Sequence, residues 1–262
     1  MHIALYQCPP LPLDIDANLA RLRQQAATAA RQGVQLLVCP EMFLTGYNIG
    51  REAVQRLAQP ADGPAAAEVA RIAVHSGVAI AYGYPERGAD GRLYNAAQVI
   101  DAQGQRLGNY RKTHLFGELD HGMFSAGNAH SAVFELHGWK LGLLICYDVE
   151  FPENVRHLAM EGAELVVVPT ANMQPYDFVC EVTVRARAFE NQCYLAYANY
   201  CGAEGAIHYC GLSSLNGPDG HRPALAGAGE GLIHATLTRA AIAQAKGLND
   251  YLADRRERLD RP

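Results

Sequence analysis

Short apolar runs and helical patterns take turns along the chain. The run His2–Gln7 predicts an opening strand, and apolar residues at positions 19, 22, 26 and 29 predict one face of a helix. We expect Asp16 to cap this helix and Gly33 to end it, because a carboxylate satisfies free N–H groups and glycine readily adopts a left-handed conformation. A short strand at 34–39 follows.

The same alternation continues to about residue 200. A second helix is predicted at 64–77, and another by the spacing of Phe178, Val182, Ala186 and Phe189. The other predicted elements are strands at 78–84, 165–168 and 193–200, hairpins at 96–101 with 106–110 and at 132–136 with 140–145, and a helix at 152–162. This order predicts an α/β or layered α+β fold.

Neither a linker nor a repeat of fixed period interrupts this pattern, so we expect one domain over residues 1–262. The last residues, 249–262, are rich in charge. They predict either a solvated helix or tail, or an arm that packs on a second subunit.

Composition narrows the class of partner. Lys and Arg number 22 against 27 Asp and Glu, and the net charge of -5 argues against a nucleic acid or an anionic membrane as partner. The 7 cysteines include no C-x-x-C pair, which fits neither a disulfide framework nor a zinc cluster. Because the first residues also lack the features of a secretory signal, we expect a cytoplasmic protein.

Three residues with complementary chemistry follow apolar strands. Glu41 comes after the strand at 34–39, Lys112 after the first hairpin, and Cys146 directly after the second. A thiol is mostly protonated at neutral pH, so it needs a base and a nearby cation to act as a nucleophile. We expect Glu41 to be that base, Lys112 to stabilise an oxyanion, and Cys146 to attack a carbonyl carbon.

The sequence around these residues supports this hypothesis. The segments CPEMFLTGY (39–47), YRKTHLF (110–116) and ICYDVEFPE (145–153) resemble, in residue type, order and spacing, three signature segments of the nitrilase, or carbon–nitrogen hydrolase, superfamily. VPTANM (168–173) and ENQCYLAYAN (190–199) extend the resemblance over nearly the whole chain.

The resemblance implies a four-layer α-β-β-α sandwich that cleaves non-peptide amide or nitrile C–N bonds through a covalent thioester. It implies that Glu41 is the general base, Lys112 the oxyanion-stabilising cation and Cys146 the nucleophile. The backbone N–H of Tyr147 would be a second oxyanion donor. A homodimer is also implied, and the chemistry requires no cofactor and no metal.

One position departs from the pattern that the resemblance implies. Many of these amidases carry a further Glu in the loop after the lysine, shortly before a glycine that corresponds to Gly127. Counting back from that glycine leads here to Asp120, and Glu118 lies two residues earlier. The sequence leaves open which of the two acids orients the substrate or balances the charge of Lys112.

Several residues are candidates for substrate binding. A carboxylate at Glu150 would repel acids and favour a cationic tail, unless it pairs with Arg156 or another local cation. Tyr47 and Tyr176 lie in loops that are able to line a pocket, and aromatic faces attract ammonium groups. Asn172, in the segment VPTANM, is the remaining candidate.

These observations predict a thiol amidase whose partner is a small amide with an amine tail. The same chemistry on N-carbamoylputrescine, on the ω-amide of a dicarboxylic acid or on an aliphatic amide is the nearest alternative. A catalytically silent, dimeric binding protein and a metal-dependent hydrolase are the alternatives from other classes.

Overall fold

The computed structural model describes residues 1–256. Its helices are α1 (Ile15–Arg31), α2 (Arg51–Leu57), α3 (Pro64–Ser76), α4 (Gly117–Met123), α5 (Pro152–Met160), α6 (Val184–Asn191) and α7 (Arg239–Leu248). Its strands are β1 (His2–Gln7), β2 (Leu36–Val38), β3 (Ala79–Arg87), β4 (Leu93–Ile100), β5 (Arg106–Arg111), β6 (Phe134–Leu136), β7 (Trp139–Leu143), β8 (Leu165–Pro169), β9 (Tyr194–Ala198), β10 (Cys201–Glu204), β11 (Ile207–Cys210), β12 (Ser214–Asn216), β13 (Ala224–Leu225) and β14 (Gly231–Thr236). A 3-10 segment (Cys146–Glu150) and a π-helical segment (Val179–Thr183) also occur.

Two six-stranded sheets have the same plan. The first has the order β14-β1-β2-β3-β4-β5 and the second the order β13-β12-β9-β8-β7-β6. In each sheet the three consecutive strands nearest the centre, β1-β2-β3 and β7-β8-β9, pair in parallel. The carboxyl ends of parallel strands are where loops with chemistry-bearing side chains can meet. Strands β10 and β11 form a separate hairpin.

The apolar strands are buried on both faces. In β2, Leu36 and Val38 belong to the core between the two sheets, whereas Leu37 belongs to the core beneath α1 and α3. On the other side, α5 and α6 cover the second sheet through residues such as Leu158 and Val184. The layers therefore run α-β-β-α, which confirms the predicted layered fold.

The ends of the predicted helices are confirmed except for one cap. Gly33 and Gly77 both have positive φ, +71° and +67°, as expected at helix ends. The prediction that Asp16 caps α1 is wrong, because the cap is Asp14, whose carboxylate accepts a hydrogen bond from the Ala17 N–H at 2.9 Å.

The apolar stripe predicted around α6 faces outward. Phe178, Val182, Ala186 and Phe189 are exposed. The buried residues are instead Val179, Cys180, Val184 and Ala188. In a helix of 3.6 residues per turn, Cys180, Val184 and Ala188 lie on the face opposite the predicted stripe. The π-helical segment places Val179 five residues before Val184 on the same inner face.

Two further expectations concern the chain as a whole. Over residues 1–256, no helix combines the length and the apolar character needed to span a membrane. Of the predicted arm at 249–262, residues 257–262 lie outside the described part of the chain.

Candidate active site

The three predicted residues follow strands of both sheets. Glu41 and Lys112 follow β2 and β5 of the first sheet, and Cys146 follows β7 of the second. Cys146 has a φ of +45°, which is unusual for a residue with a side chain. This strained turn starts the 3-10 segment and leaves the thiol half-buried, whereas Glu41 and Lys112 are completely buried.

The Glu41 carboxylate and the Lys112 ammonium group are in direct contact. Lys112 Nζ donates to Glu41 Oε1 at 2.8 Å, and Asn95 Nδ2 donates to the same oxygen at 2.6 Å. The other oxygen, Glu41 Oε2, is buried and accepts no hydrogen bond within the described chain. Glu41 therefore has an oxygen available to receive a proton.

Asp120, not Glu118, is the second acid of the site. Its Oδ2 accepts from Lys112 Nζ at 2.7 Å and from the Phe116 N–H at 2.9 Å. Its Oδ1 accepts from the hydroxyl of Tyr47 at 2.9 Å. Glu118 is exposed, so the structure excludes it from this cluster.

The two carboxylates keep Lys112 charged. Burial by itself works against the ammonium ion, but the negative charges of Asp120 and Glu41 raise the pKa of Lys112 well above its usual value. Burial raises the pKa of Glu41, Lys112 opposes this effect, and Asp120 adds to it. Glu41 is thus a stronger base than an exposed glutamate.

Cys146 interacts electrostatically with both charged groups. Burial and the Glu41 carboxylate raise the pKa of its thiol well above the usual value, while Lys112, the Thr170 hydroxyl and the Ala171 N–H lower it. The balance of these effects favours the protonated thiol. Because Glu41 is near and has a raised pKa, it can remove this proton when the sulfur attacks.

The buried Asp148 connects the loop after β5, which carries Lys112, to the turn that begins at Cys146. Its Oδ1 accepts hydrogen bonds from the Thr113 and His114 N–H groups at 3.2 and 2.9 Å. Its Oδ2 accepts from the Ile145 N–H, next to Cys146, at 3.2 Å. One carboxylate therefore sets the distance between two loops that come from different sheets.

Three aromatic side chains pack against one another next to the cluster. Phe116 contacts Tyr147 and Tyr176 edge to face, with ring centroids 5.4 and 5.5 Å apart. Tyr147 is half-buried, and Tyr176 is exposed. Of these three, the sequence had indicated Tyr147 and Tyr176 but not Phe116.

Glu150 is half-buried next to this region. Burial raises the pKa of its carboxyl group, and the charges of Lys112 and Arg187 lower it. Within the described chain its carboxylate forms no ion pair, and Arg156 instead donates to the backbone oxygen of Glu190 at 2.9 Å. The nearest guanidinium group, that of Arg187, donates to the backbone oxygen of Glu150 at 2.8 Å.

Tyr47 and Asn172 have their polar groups engaged inside the protein. The hydroxyl of Tyr47 bonds to Asp120, and its ring is completely buried. Asn172 Nδ2 donates to the Tyr176 backbone oxygen and to Cys180 Sγ, both at 3.0 Å. Neither donor is free for a substrate, so direct contact by these two residues stays a prediction.

The chain matches a known protein family and several known proteins over nearly its whole length. The profile of the family described as Carbon-nitrogen hydrolase matches residues 2–247. The chain is 64% identical, over 99% of its length and 90% of the relative's, to the Pseudomonas protegens protein named "Hydrolase in pqqF 5'region". It is 35% identical to an "(R)-stereoselective amidase" of Pseudomonas sp, over 98% of this chain and 92% of that one.

Solved structures of an amidase from Nesterenkonia sp. AN1 are also similar. They share 36% identity with this chain at a TM-score of 0.85, and the match covers 98% of this chain and 94% of that one. One holds butyramide, and another carries the acetamide moiety of fluoroacetamide at the active-site cysteine.

Proposed function

The chain belongs to the carbon–nitrogen hydrolase family, and on this basis we propose that it hydrolyses a short amide through a thioester on Cys146. That the chain is a hydrolase acting on amides follows from its relatives, which are amidases and related hydrolases. The observation that carries the proposed roles is the buried contact of Lys112 with Glu41 and Asp120 beside the Cys146 turn.

The mechanism follows from these positions. Glu41 takes the Cys146 proton as the sulfur attacks the amide carbon, and the oxyanion is stabilised by Lys112 Nζ. Collapse of this intermediate breaks the C–N bond, the proton on Glu41 passes to the leaving nitrogen, and ammonia departs. Glu41 then removes a proton from water as its oxygen attacks the thioester carbon. Collapse breaks the C–S bond and releases a carboxylic acid, and Glu41 returns the proton to the sulfur. The Tyr147 N–H supplies the second oxyanion donor in this proposal.

The substrate class is proposed from charge. A half-buried carboxylate at Glu150, with no ion-pair partner in the described chain, would attract the terminal ammonium group of an ω-amino amide. The rings of Tyr147 and Tyr176 add favourable faces for a cation. We select 5-aminopentanamide, which would give 5-aminopentanoate and ammonia, because segments 42–50, 110–120, 143–154, 169–178 and 199–204 also resemble those of 5-aminopentanamidases.

A neutral aliphatic amide is the second candidate. The Nesterenkonia amidase of similar fold has been solved with butyramide, which carries no terminal charge. Butyramide and 5-aminopentanamide differ in the amine, so Glu150 is the residue expected to distinguish them.

Ammonia release from a panel of ω-amino, neutral and acidic amides tests the activity. We expect 5-aminopentanamide to have the highest kcat/KM, and Cys146→Ala to abolish release while the protein stays folded. Iodoacetamide should label Cys146 and stop the reaction. Release of ammonia from no amide would contradict the proposal and favour a silent binding protein.

Glu150→Gln tests the choice of substrate. We expect the ratio of kcat/KM for 5-aminopentanamide over pentanamide to fall about 10-fold or more. The reason is that the glutamine side chain is neutral and no longer attracts the terminal ammonium group of 5-aminopentanamide. Glu153→Gln is the matched control, since Glu153 is exposed three residues further along. An unchanged ratio in Glu150→Gln would remove Glu150 from substrate recognition.

A further inference from the structure

The first observation concerns the hydroxyl of Tyr47. It donates to Asp120 Oδ1 at 2.9 Å, while the other oxygen of this carboxylate holds Lys112 Nζ at 2.7 Å. Burial raises the pKa of Tyr47 well above its usual value, so the phenol remains a donor. The Lys112 ammonium group also lies 5.7 Å from the centre of the Tyr47 ring. Tyr47 thus contacts both members of the acid–lysine pair.

The second observation is a buried carboxylate outside the catalytic cluster. Glu204, at the end of β10, is 5% exposed. It accepts hydrogen bonds from the Tyr47 N–H at 3.1 Å, from the Asn48 N–H at 2.8 Å and from the hydroxyl of Tyr209. No cation within the described residues forms an ion pair with it. All its donors are neutral, and two are the backbone of the loop that carries Tyr47.

The third observation is the close approach of this carboxylate to the loop. Gly46 has a φ of +81°, and a Cβ built there would overlap Glu204 Oε1 and lie 3.0 Å from Pro12 Cα. Only a glycine leaves room for the carboxylate at this point. The β10–β11 hairpin is in turn attached to the loop after β8, because the Cys210 N–H donates to the Asn172 oxygen at 3.1 Å. Glu204 therefore links loops of the two sheets.

From these contacts we propose that Tyr47 and Glu204 form a positioning unit for Asp120 and, through it, for Lys112. The inference rests on the proposed function and reassigns Tyr47 from substrate contact to positioning. Glu204 fixes the backbone of Tyr47, the Tyr47 hydroxyl fixes the Asp120 carboxylate, and Asp120 orients the ammonium group that meets the oxyanion. A buried carboxylate with a lost donor leaves an unsatisfied oxygen and a freer side chain.

Tyr47→Phe tests the unit directly. We expect kcat for the best amide to fall about 10- to 100-fold with KM close to the wild-type value, because the hydroxyl acts on a group that stabilises the transition state. Tyr6→Phe is the matched control, since the equally buried Tyr6 also donates to a carboxylate, Glu230 Oε1, but lies outside the site. It should keep its kcat, and because Glu230 is exposed it should lose less unfolding free energy than Tyr47→Phe.

A double-mutant cycle with Asp120→Asn separates positioning from a purely structural role. If Tyr47 acts through Asp120, Tyr47→Phe produces no further loss of kcat in the Asp120→Asn background. The inference would be overturned if the losses of kcat caused by Tyr47→Phe and Asp120→Asn multiplied in the double mutant. It would also be overturned if Tyr47→Phe were as active as Tyr6→Phe.

Glu204→Gln and Tyr209→Phe test the other half of the unit. Both should lower kcat in the same direction, and Glu204→Gln should add little to Tyr47→Phe. If Tyr47→Phe or Glu204→Gln does not fold, Tyr209→Phe tests the role of Glu204, because it removes a single donor to that carboxylate. An unchanged kcat in Tyr209→Phe would refute this role. A wild-type enzyme that releases no ammonia from any amide would refute the proposed function instead.

Discussion

At the scale of single residues, the site holds two carboxylates, one ammonium group and one thiol, and only the thiol is partly exposed. With both acids ionised, the cluster carries one net negative charge. In the proposed mechanism Glu41 takes the proton of Cys146, and the negative charge moves from the carboxylate to the sulfur and then to the oxyanion without a change in its sum. Lys112 faces this charge at every stage. The arrangement therefore avoids adding charge to a buried region, where an added charge is costly.

The raised pKa of Glu41 predicts the pH dependence of kcat/KM. Glu41 acts as a base only when ionised, so activity should fall as the pH drops through its raised pKa, at a higher pH than for an ordinary glutamate. The groups that face Glu41 are Lys112, Asp120 and Cys146. Since Lys112 has a pKa well above its usual value, it should cause no loss of activity near neutral pH.

Two substitutions check this pH dependence. Asp120→Asn removes a charge that raises the pKa of Glu41. The decrease of kcat/KM at acidic pH should therefore move to lower pH, and kcat should fall. Glu118→Gln, at an exposed residue of the same helix, should leave the profile of kcat/KM unchanged. If kcat/KM decreased at the same acidic pH in the wild type and in Asp120→Asn, Glu41 would not be the group that titrates.

The sequence predicted Glu41, Lys112 and Cys146 from their positions after strands, but it did not decide between Glu118 and Asp120. Residues two apart on a helix point about 200° away from each other, so only one of them faces the lysine. Which one does so depends on where α4 begins, and the Phe116 N–H fixes this by donating to Asp120. The contact of Glu204 with the loop of Tyr47 was not predictable, because two of its three donors are backbone groups more than 150 residues away in the chain.

At the scale of elements, the loop after β2 is held against β3 at Gly83. The Gly83 N–H donates to the Pro40 oxygen at 3.2 Å, and the Leu44 N–H donates to the Gly83 oxygen at 3.3 Å. A Cβ at Gly83 would lie 2.7 Å from Glu41 Cα and overlap the backbone nitrogen of Met42. The short distance between strand and loop places Glu41 opposite Lys112.

Gly83→Ala should therefore move Glu41 and reduce activity. The overlap is with backbone atoms, so we expect a loss of about 1–3 kcal/mol in the free energy of unfolding and a lower kcat. Gly247→Ala in α7 is the control, because a Cβ there meets no atom within 4 Å. Denaturant unfolding and ammonia release measure both effects, and a Gly83→Ala enzyme with wild-type kcat would show that this contact does not place Glu41.

Long apolar or strongly periodic elements were predictable, and short polar ones were not. The strands β1, β3 and β9 and the helices α1 and α3 were predicted because burial on a fixed face leaves a clear period. The helices α2 and α4 and the β10–β11 hairpin were not, because tertiary hydrogen bonds rather than a pattern hold them. The buried face of α6 was not predictable, because apolar residues recur on both faces of this segment and periodicity does not decide which face is buried.

At the scale of the whole molecule, the outward stripe of Phe178, Val182, Ala186 and Phe189 forms an exposed apolar face around α6. Phe178 is 66% exposed, and Val182 and Phe189 are each 44% exposed. Tyr251 extends this face, with its ring 5.6 Å from that of Phe189. Beside it lies a groove of about 420 Å³ lined in part by Val182 and Phe189. Contiguous apolar surface of this kind marks an interaction site.

That residues 1–262 form one domain stays a prediction.

We predict that this face forms the interface of a homodimer. In a two-fold interface each residue occurs twice, so a charge introduced at Phe178 or Phe189 is buried in two places and should dissociate the dimer. Phe178→Asp and Phe189→Asp should therefore elute as monomers in size-exclusion chromatography with light scattering, while the wild type elutes as a dimer. Val74→Asp is the control, because Val74 is 54% exposed on α3, in the opposite outer layer. A monomeric wild type, or dimers that persist in both α6-face variants, would show that the outward stripe serves another purpose.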